Sequence, residues 1–167
     1  SPEDRLKGLT LQTAEWRRPP ANTIPTDAKA AGLYMICTLS KHKAEKDGFT
    51  DALMLDYEGK VAESTGSNIF FVFDGELHTP IPHCFLDGIT RQTAISIAEK
   101  QGIKVVQRDI YPEEIKDAQE IFLTGSAVEI NPVRKIDDLE FKVGNVTSMI
   151  SDLYLSEVDK NYKIENS

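Results

Sequence analysis

The chain has 167 residues, of which 27 are acidic and 19 are basic, so its formal net charge is −8. Hydrophobic residues make up 40% and charged residues 28%, a balance typical of one globular domain and not of a disordered chain. The acidic balance argues against partners such as nucleic acid or an anionic membrane surface, because both need a basic surface. The longest wholly apolar run, Ile69–Phe73, is far shorter than the roughly 20 residues that span a bilayer.

The first 26 residues contain four prolines and favour irregular structure. We expect Leu9–Glu15 to form an extended segment at a sheet edge and residues 17–20, Arg-Arg-Pro-Pro, to form a linker. A helix then begins at Thr26 or Asp27 and ends near Asp47, with Gly48 as its stop. Its first half is small and apolar and its second half is charged, which predicts that it starts inside the protein and emerges into solvent.

Residues 51–80 have the pattern of a β meander, with turn residues at 57–60 and 64–67 and a hairpin signal at 74–75. Thereafter helices and strands alternate, which predicts an α/β fold in which helices pack on a mixed sheet. The predicted strands are Asp51–Asp56, one from Val61, Asn68–Phe73, Glu76–Thr79, Lys104–Asp109, Glu120–Thr124 and Val133–Ile136. The predicted helices are Thr90–Gln101, Pro112–Lys116 and Thr147–Lys160.

Lys29 stands alone among small apolar residues at the start of the first helix. Desolvation there would lower the pKa of its amine, and a neutral amine is the form that makes a Schiff base. The alternative is a lysine whose stem packs on the surface while its amine reaches solvent.

Two further segments could bind a ligand. Glu63 precedes a Gly/Ser loop at a strand end, where a carboxylate can reach into a site, although an ordinary exposed glutamate is the alternative. Leu86–Arg91 opens a helix with Gly88, so free backbone N–H groups and the Thr90 hydroxyl would suit a phosphate. The alternative is that Thr90 only caps the helix. The turn at residues 125–127, Gly-Ser-Ala, is a second and weaker anion-friendly site. The three histidines are scattered, so we expect no metal site.

Four segments in this order resemble the class IV aminotransferases, the fold-type IV enzymes that use pyridoxal 5′-phosphate, and most of all their branched-chain amino acid aminotransferases. The segments are Ala28–Tyr34, Ala62–Phe70, Leu86–Arg91 and Phe122–Val133. The resemblance implies the larger, C-terminal domain of a D-amino acid aminotransferase-like fold, with residues 1–27 as an interdomain linker and 28–167 as the cofactor-binding domain. It implies that the family's smaller N-terminal domain is absent from a chain that begins at Ser1.

The resemblance also implies roles for the residues around the cofactor ring. Lys29 would be the catalytic lysine, which holds the cofactor as a Schiff base and moves the proton during transamination. Glu63 would pair with the pyridine nitrogen, and Tyr34 would hydrogen-bond the phenolic oxygen. Leu86 would pack against the ring.

At the phosphate, the resemblance implies contacts from Gly88, Ile89 and Thr90. Ser126 and Ala127 would serve the phosphate and the carboxylate side of the substrate. One departure concerns substrate choice: many branched-chain enzymes carry Glu-Gly-x-Gly-Glu-Asn in the second motif, whereas Ser67 stands in place of the second acidic residue here.

The implied activity is transamination between leucine, isoleucine or valine and 2-oxoglutarate by a cytoplasmic homodimer or larger homo-oligomer. Two cysteines and a polar N-terminus without a signal-peptide core fit the same compartment. Ser67 keeps a D-amino acid aminotransferase or an aminodeoxychorismate lyase open. The implied absence of the N-terminal domain also leaves open an isolated domain without activity.

Overall fold

A computed structural model of the chain describes residues 7–23, 31–127 and 129–165. Nine strands and three α-helices are found in that part of the chain. The strands are β1 (Leu9–Thr13), β2 (Asp51–Leu55), β3 (Val61–Ser64), β4 (Asn68–Phe73), β5 (Glu76–Thr79), β6 (Val105–Gln107), β7 (Glu120–Gly125), β8 (Glu129–Ile136) and β9 (Leu139–Glu140). The helices are α1 (Ala31–Lys46), α2 (Ile89–Lys100) and α3 (Asn145–Glu165), with a 3₁₀ turn at Pro112–Asp117.

All the strands join one mixed sheet in the order β3-β2-β1-β8-β7-β4-β5-β6, with β9 paired to β8. β1 runs parallel to β2 and β8, and β5 runs parallel to β6. The remaining pairs are antiparallel. The prediction of a mixed sheet with helices packed on it is therefore confirmed.

The predicted edge position of residues 9–15 is wrong, because β1 lies between β2 and β8. Leu11 is fully buried there. Both partners of β1 come much later in the chain, so the local sequence carries no sign of how many neighbours this strand acquires. The division of the chain at residues 27 and 28 stays a prediction.

Nearly all side chains of β4 are apolar because the strand contributes to the core on both faces of the sheet. Ile69 and Phe71 pack into the core on one face. Phe70 and Val72 pack on the other face, which α2 and α3 cover. There Phe70 stacks on Phe122 of the neighbouring β7, with ring centroids 4.9 Å apart.

α1 packs against β2 and keeps a buried face into its second half, so the prediction that it emerges from the protein is wrong. Its buried stripe is Leu33, Cys37, Ser40 and Ala44, which recurs at helical spacing. The predicted stop is confirmed, since Gly48 has a φ of +89°, a conformation that glycine adopts without steric cost. The predicted beginning of this helix, at residues 26–30, lies outside the described residues.

The C-terminal elements agree with prediction in kind and differ in their bounds. β6 is shorter than predicted, while β8 begins at Glu129 instead of Val133. Pro132 hides the start of β8 in the sequence, because proline lacks the N–H of a central strand. The strand tolerates it beside an irregularity in the β1–β8 pairing at Leu9. No helix within the described residues is long and apolar enough to cross a membrane.

Candidate active site

A cavity of about 280 Å³ lies where β3, β7, the start of β4 and the N-terminus of α2 meet. This volume is near the lower end of the range for small-molecule sites. Its lining includes seven of the residues predicted from the sequence, namely Tyr34, Glu63, Leu86, Gly88, Ile89, Thr90 and Ser126. Ala127 is exposed next to Ser126 and is not part of the lining. Lys29 lies outside the described residues.

The sheet brings these distant segments together through strand pairing. Asn68 at the start of β4 is in register with Thr124 near the end of β7. The backbone N–H of Ser64 donates to the carbonyl of Ser67 at 2.8 Å, which closes the turn between β3 and β4. Glu63, one residue before that turn, is thereby set next to the end of β7. Neighbouring strand ends at one side of a sheet are a usual place for a ligand site.

Glu63 is a buried acid in the cavity wall, with 7% of its surface exposed, so the alternative of an ordinary exposed glutamate is wrong. Its Oε1 lies 2.7 Å from Nη1 of Arg18. Burial raises the pKa of Glu63 to about 7, because a carboxylate loses its hydration. Arg18 opposes this rise in pKa and nearby Asp51 adds to it, but burial is the larger effect.

Arg18 is a residue of the cavity wall that sequence reasoning missed. Its guanidinium is buried, and Nε donates to the carbonyl of Cys84 at 2.8 Å. Nη1 also contacts Sγ of Cys37 at 3.4 Å. The interpretation of residues 17–20 as a linker is therefore wrong at Arg18. No local signal distinguishes Arg18 from its exposed neighbour Arg17, since its partners all lie in other segments.

Both cysteines near Arg18 are buried free thiols. Burial raises the pKa of Cys37 above its usual value and that of Cys84 to about 11. A thiol that stays protonated is a poor nucleophile. Burial therefore makes both thiols weaker nucleophiles than an exposed cysteine.

The N-terminus of α2 forms another side of the cavity. Its N-cap is Gly88, and no side chain of the described residues caps it, so the alternative that Thr90 is the cap is wrong. The first helical hydrogen bond is donated by Gln92 N to Gly88 O at 3.1 Å. The N–H groups of residues 89–91 consequently have no partner within the helix and carry partial positive charge.

Asn68, which sequence reasoning also missed as a site residue, ties the turn before α2 to the sheet. Its Nδ2 donates to the carbonyl of Leu86 at 2.9 Å. Its Oδ1 accepts a hydrogen bond from the N–H of Gly88 at 3.3 Å. A Cβ added to Gly88 would lie 2.7 Å from that same Oδ1, so only glycine fits here without displacement. This packing fixes the backbone that faces the cavity.

Arg91 holds the same turn from the other side and is almost fully buried. Its Nη1 pairs with Oδ1 of Asp87 at 2.8 Å, while Nη2 donates to Pro80 O at 3.1 Å and to Gln107 Oε1 at 2.8 Å. The carboxylate of Asp87 is thereby directed to Arg91. The two sides of the cavity are thus a buried acid on β3 and a rigid, uncapped helix terminus.

Comparisons with known proteins support one family. The sequence pattern of the amino-transferase class IV family matches residues 1–136. A probable branched-chain-amino-acid aminotransferase of Rickettsia bellii is 41% identical over 153 residues, which are 92% of this chain and 51% of that protein. The chain spans about half the length of the curated relatives that it matches.

Solved structures agree with this result. A T.th. branched-chain amino acid aminotransferase, complexed with N-(5′-phosphopyridoxyl)-L-glutamate, matches with a TM-score of 0.88 and 38% identity, over 91% of this chain and 52% of that one. An aminotransferase of Brucella abortus bound to PLP matches with a TM-score of 0.85 and 38% identity, over 90% of this chain and 54% of that one. The predicted fold is thereby confirmed.

Proposed function

Because the chain belongs to the class IV aminotransferase family, we propose that it serves pyridoxal-phosphate-dependent transamination of leucine, isoleucine and valine with 2-oxoglutarate. The observation that carries the proposal is the cavity itself, with buried Glu63 on one side and the uncapped start of α2 on another. The names of the Rickettsia bellii relative and of the T.th. enzyme support the branched-chain substrates. The glutamate part of the ligand bound to the T.th. enzyme supports 2-oxoglutarate as the acceptor.

The residues of the cavity fit pyridoxal phosphate. A phosphate dianion suits the free N–H groups at the start of α2, and Gly88 lets the group approach the backbone closely. A buried carboxylate suits a protonated ring nitrogen. When bound, pyridoxal phosphate forms an imine with a primary amine and accepts electrons from the substrate carbon.

In this proposal, Lys29 holds the cofactor through its Nζ and later moves the proton at the substrate Cα. Its support is the resemblance of residues 28–34 to the family's lysine segment. Tyr34 lines the cavity with half of its surface exposed, so its hydroxyl can donate to the phenolic oxygen of the ring. Leu86 provides an apolar contact for the ring.

Glu63 accepts the hydrogen bond of the ring nitrogen and keeps that nitrogen protonated. Ile89 and Thr90 hold the phosphate through backbone N–H groups and the Thr90 hydroxyl, and Gly88, whose own N–H is donated to Asn68, gives the phosphate close access to the backbone. Ser126, with Ala127 beside it, serves the phosphate and the substrate carboxylate. The exposure of both residues at the end of β7 supports contact with a ligand that enters from solvent.

The experiment is a transamination assay on the protein in its natural length, loaded with pyridoxal phosphate. We expect glutamate to form from 2-oxoglutarate with L-leucine, L-isoleucine and L-valine, and not with D-alanine. Glu63→Gln should keep much of the bound cofactor and lose most of the turnover, while the exposed-site control Glu15→Gln should match the wild type. Turnover with D-alanine, or pyruvate release from aminodeoxychorismate, would replace this proposal with the activity of the corresponding relative.

We also propose a cytoplasmic homodimer or larger homo-oligomer. Two buried free thiols support a reducing compartment. The exposed apolar side chains of Met35 and Leu39 on α1 support association with a second copy. Light scattering after size-exclusion chromatography tests the assembly, and a monomer at micromolar concentration would contradict it.

A further inference from the structure

We infer that Arg18 is a positioning residue that orients the Glu63 carboxylate toward the ring nitrogen of the cofactor. This inference rests on the proposed function, because the ring nitrogen is that of pyridoxal phosphate. It adds a residue from the segment after β1 to a site otherwise built from α1, β3, β4, β7 and the turn before α2.

The first step is the geometry of the pair. Nη1 of Arg18 lies 2.7 Å from Oε1 of Glu63, and both side chains line the cavity. No side chain within the described residues donates to Oε2 of Glu63. One oxygen is thus held by the guanidinium, and the second is available to a donor that enters the cavity.

The second step is that Arg18 is itself immobilised. Its Nε donates to Cys84 O at 2.8 Å, and its backbone N–H donates to Leu55 O at 2.8 Å. The backbone of Arg18 also pairs with Asp56 beyond the end of β2. The guanidinium is thus anchored to the Cys84 carbonyl, on a backbone that is itself bonded to the end of β2, so Arg18 has a fixed position from which to orient Glu63.

The third step is the balance of charge around Glu63. Burial and the neighbouring Asp51 both disfavour the carboxylate form, while Arg18 favours it. The thiols of Cys37 and Cys84 also lie close to Arg18 and Glu63, and burial raises the pKa of both, which favours their neutral form. Asp56 is a further acid close to Cys84. Without Arg18, Glu63 would be protonated over a wider range of pH, and a neutral acid cannot balance a ring cation.

A role in holding the fold together would also make Arg18 sensitive to mutation, so the test must separate the two roles. We therefore combine Arg18→Met with Glu63→Gln in a double-mutant cycle. Arg18→Lys keeps the charge without the fork of donors. Arg17→Met removes an exposed arginine next in sequence and serves as the matched control.

On the natural-length protein loaded with pyridoxal phosphate, Arg18→Met should lower kcat at least about tenfold in the wild-type background. It should lower kcat less than about twofold when Glu63 is already glutamine, because the carboxylate through which Arg18 acts is then absent. Arg18→Lys should recover part of the loss, and Arg17→Met should change nothing. An equal loss in both backgrounds, or no loss from Arg18→Met, would overturn the inference.

A second readout needs no cofactor and therefore separates this inference from the proposed function. The carboxyl carbon of Glu63 is followed by ¹³C NMR against pH in the unloaded protein, with Glu63→Gln to assign the signal. Ionisation should occur at higher pH in Arg18→Met than in wild type, and Arg18→Lys should lie between them. If Arg18→Met does not fold, the Glu63 titration in Arg18→Lys is compared with that in wild type. Identical titrations of Glu63 in the folded variants and wild type would overturn the inference.

Discussion

Asn68 and Gly88 are in such close contact that a side chain on Gly88 would have to displace the Asn68 amide. The Oδ1 of Asn68 accepts from Gly88 N at 3.3 Å and would be 2.7 Å from a Cβ on Gly88. Since φ at Gly88 is −66°, the need for glycine comes from space and not from backbone conformation. The turn that faces the cavity is therefore set by a contact between β4 and the start of α2.

Gly88→Ala should displace this turn and weaken cofactor binding. We expect a loss of about 1–3 kcal/mol in stability, as is usual for overpacking a close contact, and weaker binding of pyridoxal phosphate. Urea unfolding and a cofactor titration measure the two effects. Because Asn68 is the clashing partner, adding Asn68→Ala should cost less in Gly88→Ala than in wild type, and strictly additive losses would contradict the contact.

Glu63 should give the unfolding free energy a specific dependence on pH. Its pKa is raised in the folded state from the ordinary 4.5 to about 7. The folded state then binds more protons than the unfolded state between these values, so stability falls as pH rises through this window. The loss should total about 3 kcal/mol and be complete at about pH 8, one unit above the folded pKa.

The comparison with Glu63→Gln isolates this effect. Three other acids, Asp47, Glu76 and Glu114, have lowered pKa values, so their contribution to stability is lost only as pH falls. That loss is the same in wild type and in Glu63→Gln. Between about pH 4.5 and about pH 8, the unfolding free energy of the wild type should therefore fall relative to that of Glu63→Gln. A difference that is constant over this range would mean that Glu63 has an unperturbed pKa.

Features that depend on neighbouring residues can be predicted from the sequence. The Asp74-Gly75 turn between β4 and β5 follows from residues that tolerate positive φ, here +49° and +77°. The position of the turn before α2 follows from Gly88 and the apolar spacing after it. The site residues that can be predicted are those that stand together in a short stretch of sequence, such as Leu86, Gly88 and Thr90.

Features that depend on distant pairing cannot be predicted in this way. The sequence favours an edge position for β1 because its two parallel neighbours are remote along the chain. Arg18 has the sequence context of a linker because its partners Glu63 and Cys84 lie in other segments. A buried arginine has no periodic signature, since only the full set of acceptors around it explains its burial.

Glu120 should be important for the stability of α3, although it takes no part in the proposed chemistry. Its Oε2 accepts hydrogen bonds from the backbone N–H of Thr147 at 2.8 Å and from the Thr147 hydroxyl at 2.7 Å. This carboxylate on β7 thus caps the N-terminus of α3 from outside the helix. Glu120→Ala should lower the unfolding free energy by about 2 kcal/mol, whereas Glu140→Ala, at an exposed position, should leave it nearly unchanged.

The central claim, that Lys29 holds pyridoxal phosphate in this cavity, is tested most directly by reductive trapping. The natural-length protein is loaded with the cofactor, reduced with borohydride, digested and analysed by mass spectrometry. We predict a phosphopyridoxyl mass on the peptide that contains Lys29, present in the exposed-site control Lys41→Ala and absent in Lys29→Ala. A cofactor that binds but is trapped on another lysine, or on none, would contradict the account.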